Sequence, residues 1–226
     1  MREIVIDTET TGLNYKDGDR VIEVGCVELI NHVSTGNKLQ FYCSTVKKIH
    51  ESAIKIHGIT NAFLEKHPSF ENQHNIFLDF IKEDTLVIHN AEFDLGFLNN
   101  ELRLLKKSPL KNTIIDTVQL ARKTLNTRIA NLDYLCRRFS IDLSSRKMHG
   151  ALLDCHLLAA VYLELIGGQQ TKFELNNANI NESALDKKVN HKTIPINKIN
   201  ISENEIIAHK NFVKDLKNAL WHKIDY

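Results

Sequence analysis

The sequence predicts an α/β protein in which a mixed five-stranded sheet is flanked by helices and followed by a polar tail. Three segments rich in β-branched residues open the chain, with turn residues between them, which is typical of antiparallel hairpins. Apolar residues then recur at helical spacing around two further short strands. The change from hairpins to alternating helices and strands predicts a sheet with both antiparallel and parallel pairs.

The first three predicted strands cover residues 4–6, 21–30 and 38–43. Turn residues lie between them, with Asp-Gly-Asp at 17–19 and Ser-Thr-Gly-Asn at 34–37. Because Gly, Asn and Asp adopt the backbone conformations that tight turns need, these segments predict the two hairpin connections.

Helices and strands alternate from residue 70 to residue 165. Apolar residues at helical spacing predict helices over 70–82, 91–106, 118–125, 132–139 and 151–165, with strands over 85–88 and 113–115. The last of these helices carries only two charged residues, Asp154 and Glu164. A helix that is apolar on all sides is expected to be buried.

The composition changes after Gly167 and Gly168, which end that helix. Residues 171–200 contain a single aromatic side chain, Phe173, and cannot bury a core of their own. Ser202 and Glu205 then form a capping-box pattern before an apolar stripe of Ile206, Val213, Leu216 and Leu220 that leads to Trp221. We therefore expect a catalytic domain over 1–168, a flexible linker over 169–201 and a C-terminal helix within 202–226.

The charge and cysteine content exclude several classes of protein. The 29 basic and 28 acidic residues give a net charge of +1, so neither a polybasic arm nor an acidic tail dominates. The four cysteines are widely spaced, without a C-x-x-C pair, which favours a reducing cytoplasm. We find neither a signal-peptide pattern nor an apolar run near the ~20 residues that span a bilayer, so we expect a cytoplasmic protein without a membrane segment.

Four acidic residues are candidates for chemistry. Asp7 and Glu9 are two residues apart at the end of a predicted strand, so their carboxylates share one face of the sheet. Asp94 follows the strand over 85–88, in the first turn of a helix for which Asn90 is the expected cap. Ligands of α/β sheets bind at such carboxyl ends of strands. Taken alone, Asp7 and Glu9 would be read as a solvated strand end, and Asp94 as a partner of the helix dipole.

Asp154 is the acid with the strongest physical argument. An unpaired carboxylate in a buried helix costs several kcal/mol unless a cation or hydrogen bonds compensate it. A metal ion is one compensating partner, and Arg146 or Lys147 from the preceding loop is the alternative. Four carboxylates and the nearby His149 suit phosphodiester hydrolysis with two divalent ions, Mg²⁺ or Mn²⁺, whose hard character matches oxygen ligands. A neutral histidine can accept the proton of the attacking water.

Three segments together resemble the motifs of the DEDDh family of 3′→5′ exonucleases. They read DTETTG at 7–12, HNAEFDLGFL at 89–98 and HGALLD at 149–154. The resemblance implies a ribonuclease H-like fold and divalent metal ions held by Asp7, Glu9, Asp94 and Asp154. It also implies that His149 is the catalytic base. Substrate contacts at the DNA 3′ end are implied for Asp7, Glu9, Ser52, His57 and Asp154, although Ser52 stands where relatives carry glutamate.

Within this family the resemblance extends along the whole chain to the proofreading subunits of bacterial replicative DNA polymerases. It implies that the C-terminal segment binds the polymerase subunit and that a small accessory subunit is a possible further partner. Residues 170–175 also resemble peptides that dock on the sliding clamp, with Gln170 followed by the apolar Phe173 and Leu175.

Other interpretations of the same residues remain open at this point. The chain could be a stand-alone DEDDh nuclease that trims RNA or single-stranded DNA 3′ ends, although such nucleases need no tail. It could also be a scaffold without activity. The C-terminal helix could fold back on the first domain, and Phe173 could pack on the preceding helix. Among the basic residues of 101–150, only Arg146 and Lys147 are expected to contact DNA, because lysines on surface helices are usually solvated.

Overall fold

The structure, a computed structural model, describes residues 1–146, 148–167 and 202–215. The chain divides into two compact units, Met1–Phe173 and Glu174–Tyr226. The strands of the first unit are β1 Arg2–Thr10, β2 Val21–Ile30, β3 Val33–Tyr42, β4 Thr85–Ile88 and β5 Ile114–Asp116. Its helices are α1 Glu51–His57, α2 Asn61–Leu64, α3 Phe70–Ile81, α4 Ala91–Leu104, α5 Thr117–Leu125, α6 Leu132–Arg138 and α7 Ala151–Leu165.

The five strands form one sheet in the order β3-β2-β1-β4-β5. β1 pairs antiparallel with β2, and β2 with β3, whereas β1 with β4 and β4 with β5 are parallel pairs. The predicted mixed five-stranded sheet is therefore confirmed. β1 is central and longer than predicted, because its pairing with β2 continues from Arg2 to Thr10.

Helices cover both faces of the sheet, and successive residues of β1 face different helical layers. Ile4 and Ile6 belong to the core that includes Phe77 of α3 and Phe97 of α4. Val5 belongs to the opposite core, which contains apolar residues of α6 and α7. The odd-numbered residues of β1, including Asp7 and Glu9, therefore point towards the layer that contains α7.

Helix α7 is fixed against β1 and β2 by polar contacts as well as by its apolar surface. Its first amide, from Ala151, donates to Glu23 Oε2 at 3.2 Å, and the Cys155 thiol donates to the carbonyl oxygen of Gly25 at 3.2 Å. Near its other end, the Tyr162 hydroxyl donates to the buried Glu3 carboxylate at 2.7 Å. The helix thus has a defined position along β1 at both ends.

The hairpin between β2 and β3 differs from the prediction. The turn is formed by Asn31 and His32, which have φ angles of 51° and 68°, and not by residues 34–37. The polar segment 34–37 instead lies in the exposed part of β3, where Gly36 adopts a φ of 83°. Its residues looked like a turn because an exposed strand of an antiparallel sheet can be polar. The short helix α2 was also not predicted.

The second unit contributes one described helix, α8 Glu203–Asp215. Its capping box is confirmed, because the Ser202 amide donates to Glu205 Oε2 at 2.9 Å and the Glu205 amide donates to Ser202 Oγ at 3.3 Å. The linker over 169–201, the peptide over 170–175 and the predicted apolar residues Leu216, Leu220 and Trp221 lie outside the described residues. Among the helices that the structure describes, none is long and apolar enough to cross a membrane.

Close packing of α7 on β2 leads to a first prediction. A Cβ atom on Gly25 would lie 2.4 Å from the carbonyl carbon of Ala151, so Gly25→Ala must displace the start of α7. We expect the free energy of unfolding to fall by about 1–3 kcal/mol, as in other overpacked cores. Denaturant unfolding measures this loss. Gly150→Ala is the control, since apart from the chain neighbours no atom of the described residues lies within 4 Å of a Cβ there, and an equal loss in both variants would contradict the steric explanation.

Candidate active site

The carboxyl end of β1 brings two of the predicted acids to the α7 side of the sheet. Asp7 is half-buried and Glu9 is buried, and Glu23 lies opposite Glu9 on β2. Thr8 points to the other side, where its hydroxyl donates to Asp94 Oδ1 at 2.7 Å. β1 therefore serves the site from both faces.

Asp94 is positioned by the parallel pairing of β1, β4 and β5. It lies in the first turn of α4, which begins three residues after β4 ends. The expected cap by Asn90 is wrong, since within the described residues its side chain makes no capping hydrogen bond and its φ is 64°. Asp116, the last residue of β5, instead accepts the amide hydrogens of Asn90 and Ala91 at 3.3 and 3.2 Å. Parallel neighbours end at the same edge of the sheet, which brings Asp116 to the start of α4.

Asp154 projects from the first turn of α7 and is paired with an arginine. Arg146 donates from Nε to Oδ1 at 2.6 Å and from Nη2 to Oδ2 at 2.7 Å. Of the two cations considered as partners, Arg146 is therefore the one observed, whereas Lys147 lies outside the described residues. The expected contact of Arg146 with DNA is not supported, because its side chain is only 8% exposed and its guanidinium is occupied.

His149 is exposed on the loop before α7 and lies beside Asp154. Its Nδ1 atom is 3.3 Å from Asp154 Oδ2 and 3.0 Å from Arg146 Nη2. Its backbone amide donates to the carbonyl oxygen of Ile56 at 3.1 Å, which ties the loop to the end of α1. The loop that carries His149 is thus attached to the helix that carries His57.

His57 and Ser52 lie at opposite ends of α1. His57 is buried, and burial together with the nearby His149 lowers its pKa, against the opposing effect of the Thr10 backbone. Ser52 is exposed in the first turn of α1, and no hydrogen bond or ion pair between described residues joins it to the acids. The structure therefore places His57 near His149 and the backbone of Thr10, whereas no hydrogen bond or ion pair between described residues joins Ser52 to the acids.

Burial, together with neighbouring negative charge, raises the pKa of three of the acids. Burial, followed by the charges of Asp94, Glu9 and other neighbours, raises the pKa of Asp7 well above its usual range. Burial and the adjacent Glu23 raise the pKa of Glu9 to about 8. Burial raises the pKa of Asp94 to about 7 despite its hydrogen bond from Thr8. Without a cation, these carboxyl groups keep protons that an exposed carboxyl would lose.

Asp154 is the exception among the four acids. Burial opposes its ionisation, but hydrogen bonds from Arg146 and His149 outweigh burial and lower its pKa. Asp154 is therefore ionised in the absence of any added ion, whereas the other three acids retain their protons to a higher pH than an exposed carboxyl.

The residues present fit a divalent metal site. Glu9, His149 and Asp154 each offer a ligand atom, and these atoms lie within 4.8 Å of one another. Asp7 and Asp94 interact electrostatically with the same group. Carboxylate oxygens are hard ligands, and a bound cation would favour the ionised forms of the three acids whose pKa values burial and neighbouring charge raise. The donor set thus suits Mg²⁺ or Mn²⁺.

Two contributors to the site were missed in the sequence. Glu23 is buried beside Glu9 and accepts from Ala151 and from Gln40 Nε2, the latter at 2.7 Å. The signal for it was a charged residue among the apolar residues at the start of β2. Asp116 has no local signal in the sequence, since a carboxylate that caps a helix from a separate strand leaves no local pattern.

Comparisons with known proteins agree with this geometry. Residues 4–162 match the RNase_T family, described as exonuclease. The chain is 41% identical over 222 residues to DNA polymerase III subunit epsilon of Rickettsia felis, covering 96% of this chain and 97% of the relative. It is 43% identical over 228 residues to the same subunit of Rickettsia conorii, covering 97% and 98%.

A solved structure shows the fold independently. The nuclease domain of 3′hExo, a DEDDh family member bound to rAMP, superposes with a TM-score of 0.64 at 19% identity. The superposition covers 75% of this chain and 94% of that domain. The ribonuclease H-like exonuclease fold implied by the sequence motifs is therefore confirmed.

The raised pKa of Glu9 leads to a second prediction. In the folded protein Glu9 holds its proton up to about pH 8, whereas a glutamate in the unfolded chain loses it near ~4.3. The folded state thus binds more protons between these values, so stability should fall as the pH rises from 5 to 8. In EDTA, Glu9→Gln should raise Tm at pH 8 and change it little at pH 5.

The exposed Glu83 provides the control for this measurement. Glu83→Gln should leave the pH dependence of Tm as in the wild type. If Glu9→Gln lowers Tm at pH 8, ionisation of Glu9 does not destabilise the folded protein and the prediction is wrong.

Proposed function

Because this chain belongs to the exonuclease family, and within it to the DNA polymerase III epsilon subunits, we propose that the acidic cluster beside β1 is its catalytic centre. Members of this family are metal-dependent 3′→5′ exonucleases, and the chain is the proofreading nuclease of DNA replication. The proposal rests on one observation: β1 and α4 bring Asp7, Glu9 and Asp94 together beside Asp154 of α7, and burial with neighbouring charge raises the pKa values of the first three. Such a cluster suits the removal of mispaired 3′-terminal nucleotides by phosphodiester hydrolysis.

We assign the metal ligands to Asp7, Glu9, Asp94 and Asp154, and the ions to two Mg²⁺ or Mn²⁺. When bound, two such ions stabilise the attacking and the leaving oxygen of the phosphodiester. The protein contributes the spacing of the carboxylates. Thr8 orients Asp94 through its hydroxyl, and Arg146 orients Asp154.

His149 is assigned as the general base. Asp154 Oδ2 lies 3.3 Å from Nδ1 and can accept its hydrogen, which leaves the lone pair of Nε2 for the proton of the attacking water. The imidazolium that then forms is stabilised by the adjacent carboxylate. The exposed position of the ring on the loop before α7 supports access by both water and substrate.

The 3′-terminal nucleotide is proposed to contact five residues: Asp7, Glu9, Ser52, His57 and Asp154. His57 is supported by its burial at the end of α1, next to the backbone of Thr10. For Ser52 the support is its exposed place on the same short helix. A strand that reaches the acids along α1 would pass both side chains.

We further propose three functional segments: an exonuclease domain over 1–168, a linker over 169–201 and a C-terminal helix within 202–226. The C-terminal segment would bind the polymerase subunit, alpha, of DNA polymerase III, and residues 170–175 would bind the sliding clamp. The capping box of α8 and its exposed Ile207 and Phe212 support the first contact. A small accessory subunit and a cytoplasmic location complete the proposal.

A substitution at Asp7 tests the catalytic assignment. Asp7→Asn keeps the size of the side chain but removes one charge from the cluster, so release of nucleotides from a primer with a mispaired 3′ end should fall by several orders of magnitude. The protein should stay folded, because less repulsion remains. The exposed Asp79 gives the matched control, Asp79→Asn, with unchanged activity. Wild-type activity of Asp7→Asn would refute the assignment.

A pair of variants tests the partner segments. A chain that ends after Asn200 should remain an active exonuclease but no longer co-elute with the polymerase subunit, while it still binds the clamp. The full chain with Phe173→Ala and Leu175→Ala should also remain active. It should co-elute with the polymerase subunit, because its C-terminal helix is intact, but it should no longer bind the clamp. Size-exclusion chromatography with each purified partner measures both. Co-elution of the truncated chain with the polymerase at wild-type affinity would remove α8 as the attachment site.

A further inference from the structure

Arg146 makes contacts that the proposed catalytic scheme does not by itself require. Its guanidinium bonds to both oxygens of Asp154, to Asp133 and to the ring of His149, and its side chain is 8% exposed. We propose that Arg146 is a positioning residue, which holds Asp154 and His149 in the geometry of the nuclease site from an anchor at Asp133. This inference rests on the proposed function, because it concerns how that site is kept in order.

The contact with Asp154 fixes the carboxylate as well as neutralising it. Nε and Nη2 bond to different oxygens of the group, at 2.6 and 2.7 Å. Two parallel hydrogen bonds define the plane of the carboxylate, which a single point charge would leave free to rotate. The position of Asp154 is thus set by α7, and the direction of its oxygens is set by Arg146.

Asp133 supplies the anchor from outside the acidic cluster. It lies in the first turn of α6, is 42% exposed, and accepts from Nη1 of Arg146. The guanidinium therefore has carboxylates on two sides, one on α6 and one on α7. Its contacts with Asp133 and Asp154 together hold the guanidinium between the two helices.

His149 is held by the same ion pair. Its Nδ1 faces a donor, Arg146 Nη2 at 3.0 Å, and an acceptor, Asp154 Oδ2 at 3.3 Å. A neutral imidazole carries its hydrogen on one nitrogen only. Only the tautomer with its hydrogen on Nδ1, donated to Asp154 Oδ2, leaves Nε2 free to accept a proton. In the proposed scheme Asp154 therefore anchors the ring, and Arg146 acts on the ring by fixing Asp154.

Arginine and lysine differ in the property that this role needs. Lysine would keep the positive charge but cannot form the fork or reach three groups at once. Arg146→Lys therefore separates charge from geometry. Arg146→Gln removes both, and Asp133→Asn weakens only the anchor.

The test compares these three variants with a matched control. Arg137 also pairs with Asp133, at 3.8 Å, but its side chain is 73% exposed and it does not contact the acids. We expect kcat on a single-stranded oligonucleotide to fall about 10- to 100-fold in Arg146→Lys and Arg146→Gln, with a smaller change in KM. Asp133→Asn should lose less in the same direction, and Arg137→Gln should match the wild type.

A second readout does not depend on activity. Calorimetric titration of Mn²⁺ into the DNA-free protein should give a higher Kd for Arg146→Lys than for the wild type, because its Asp154 is no longer oriented. Thermal unfolding of each variant identifies one that fails to fold, and Asp133→Asn then carries the test, since its substitution lies outside the acidic cluster.

Two results would overturn the inference. Wild-type kcat in Arg146→Lys would show that charge alone is needed, and tighter Mn²⁺ binding by Arg146→Gln would make Arg146 a competitor of the ion. Asp7→Asn is assayed in parallel. If Asp7→Asn is inactive while the Arg146 variants are normal, only this inference fails, whereas an active Asp7→Asn refutes the catalytic assignment itself.

Discussion

The removal of neighbouring carboxyl groups from solvent is the constraint that shapes this end of the molecule. Asp7, Glu9 and Asp94 have raised pKa values, and Glu23 adds a further carboxyl group beside them. Asp154 differs from these acids, because hydrogen bonds from Arg146 and His149 outweigh its burial and lower its pKa. The fold accommodates these acids because Thr8 and Arg146 donate hydrogen bonds to Asp94 and Asp154, and because the acids with raised pKa values retain protons. Without a bound cation, the ionised forms of Asp7, Glu9 and Asp94 are therefore disfavoured.

The sheet turns residues that are distant in the sequence into one site. Alternation along β1 sends Asp7 and Glu9 to the α7 layer, while Thr8 reaches Asp94 on the opposite face. α7 is fixed at both ends, by its amide on Glu23 and by Tyr162 on Glu3. Stability and chemistry therefore share the same strand: the apolar half of β1 fills two cores and its carboxyl end carries the acids.

Many elements of the fold and the main residues of the candidate site are predictable from local sequence patterns, and the exceptions have physical reasons. The strand over 85–88 and the helix over 151–165 were predicted with the observed bounds, because their apolar runs are unambiguous. The four acids and His149 followed from motif spacing, and the structure groups them. The β2–β3 turn was misplaced because an exposed strand can have the composition of a loop. Which residue caps α4, and whether Arg146 or Lys147 pairs with Asp154, depend on tertiary contacts that no local window contains.

The contact between Asp116 and the start of α4 also bears on how the site arises during synthesis. α4 is followed by β5, so the amides of Asn90 and Ala91 acquire their acceptor only after residue 116 has been added. Arg146 and Asp154 come later still. A nascent chain that has emerged as far as β4 contains Asp7 and Glu9 of β1. It does not yet contain Arg146, or the Asp116 carboxylate that accepts from the start of α4. The complete set of acids and their partner Arg146 is therefore present only when the residues of both helical layers have been synthesised.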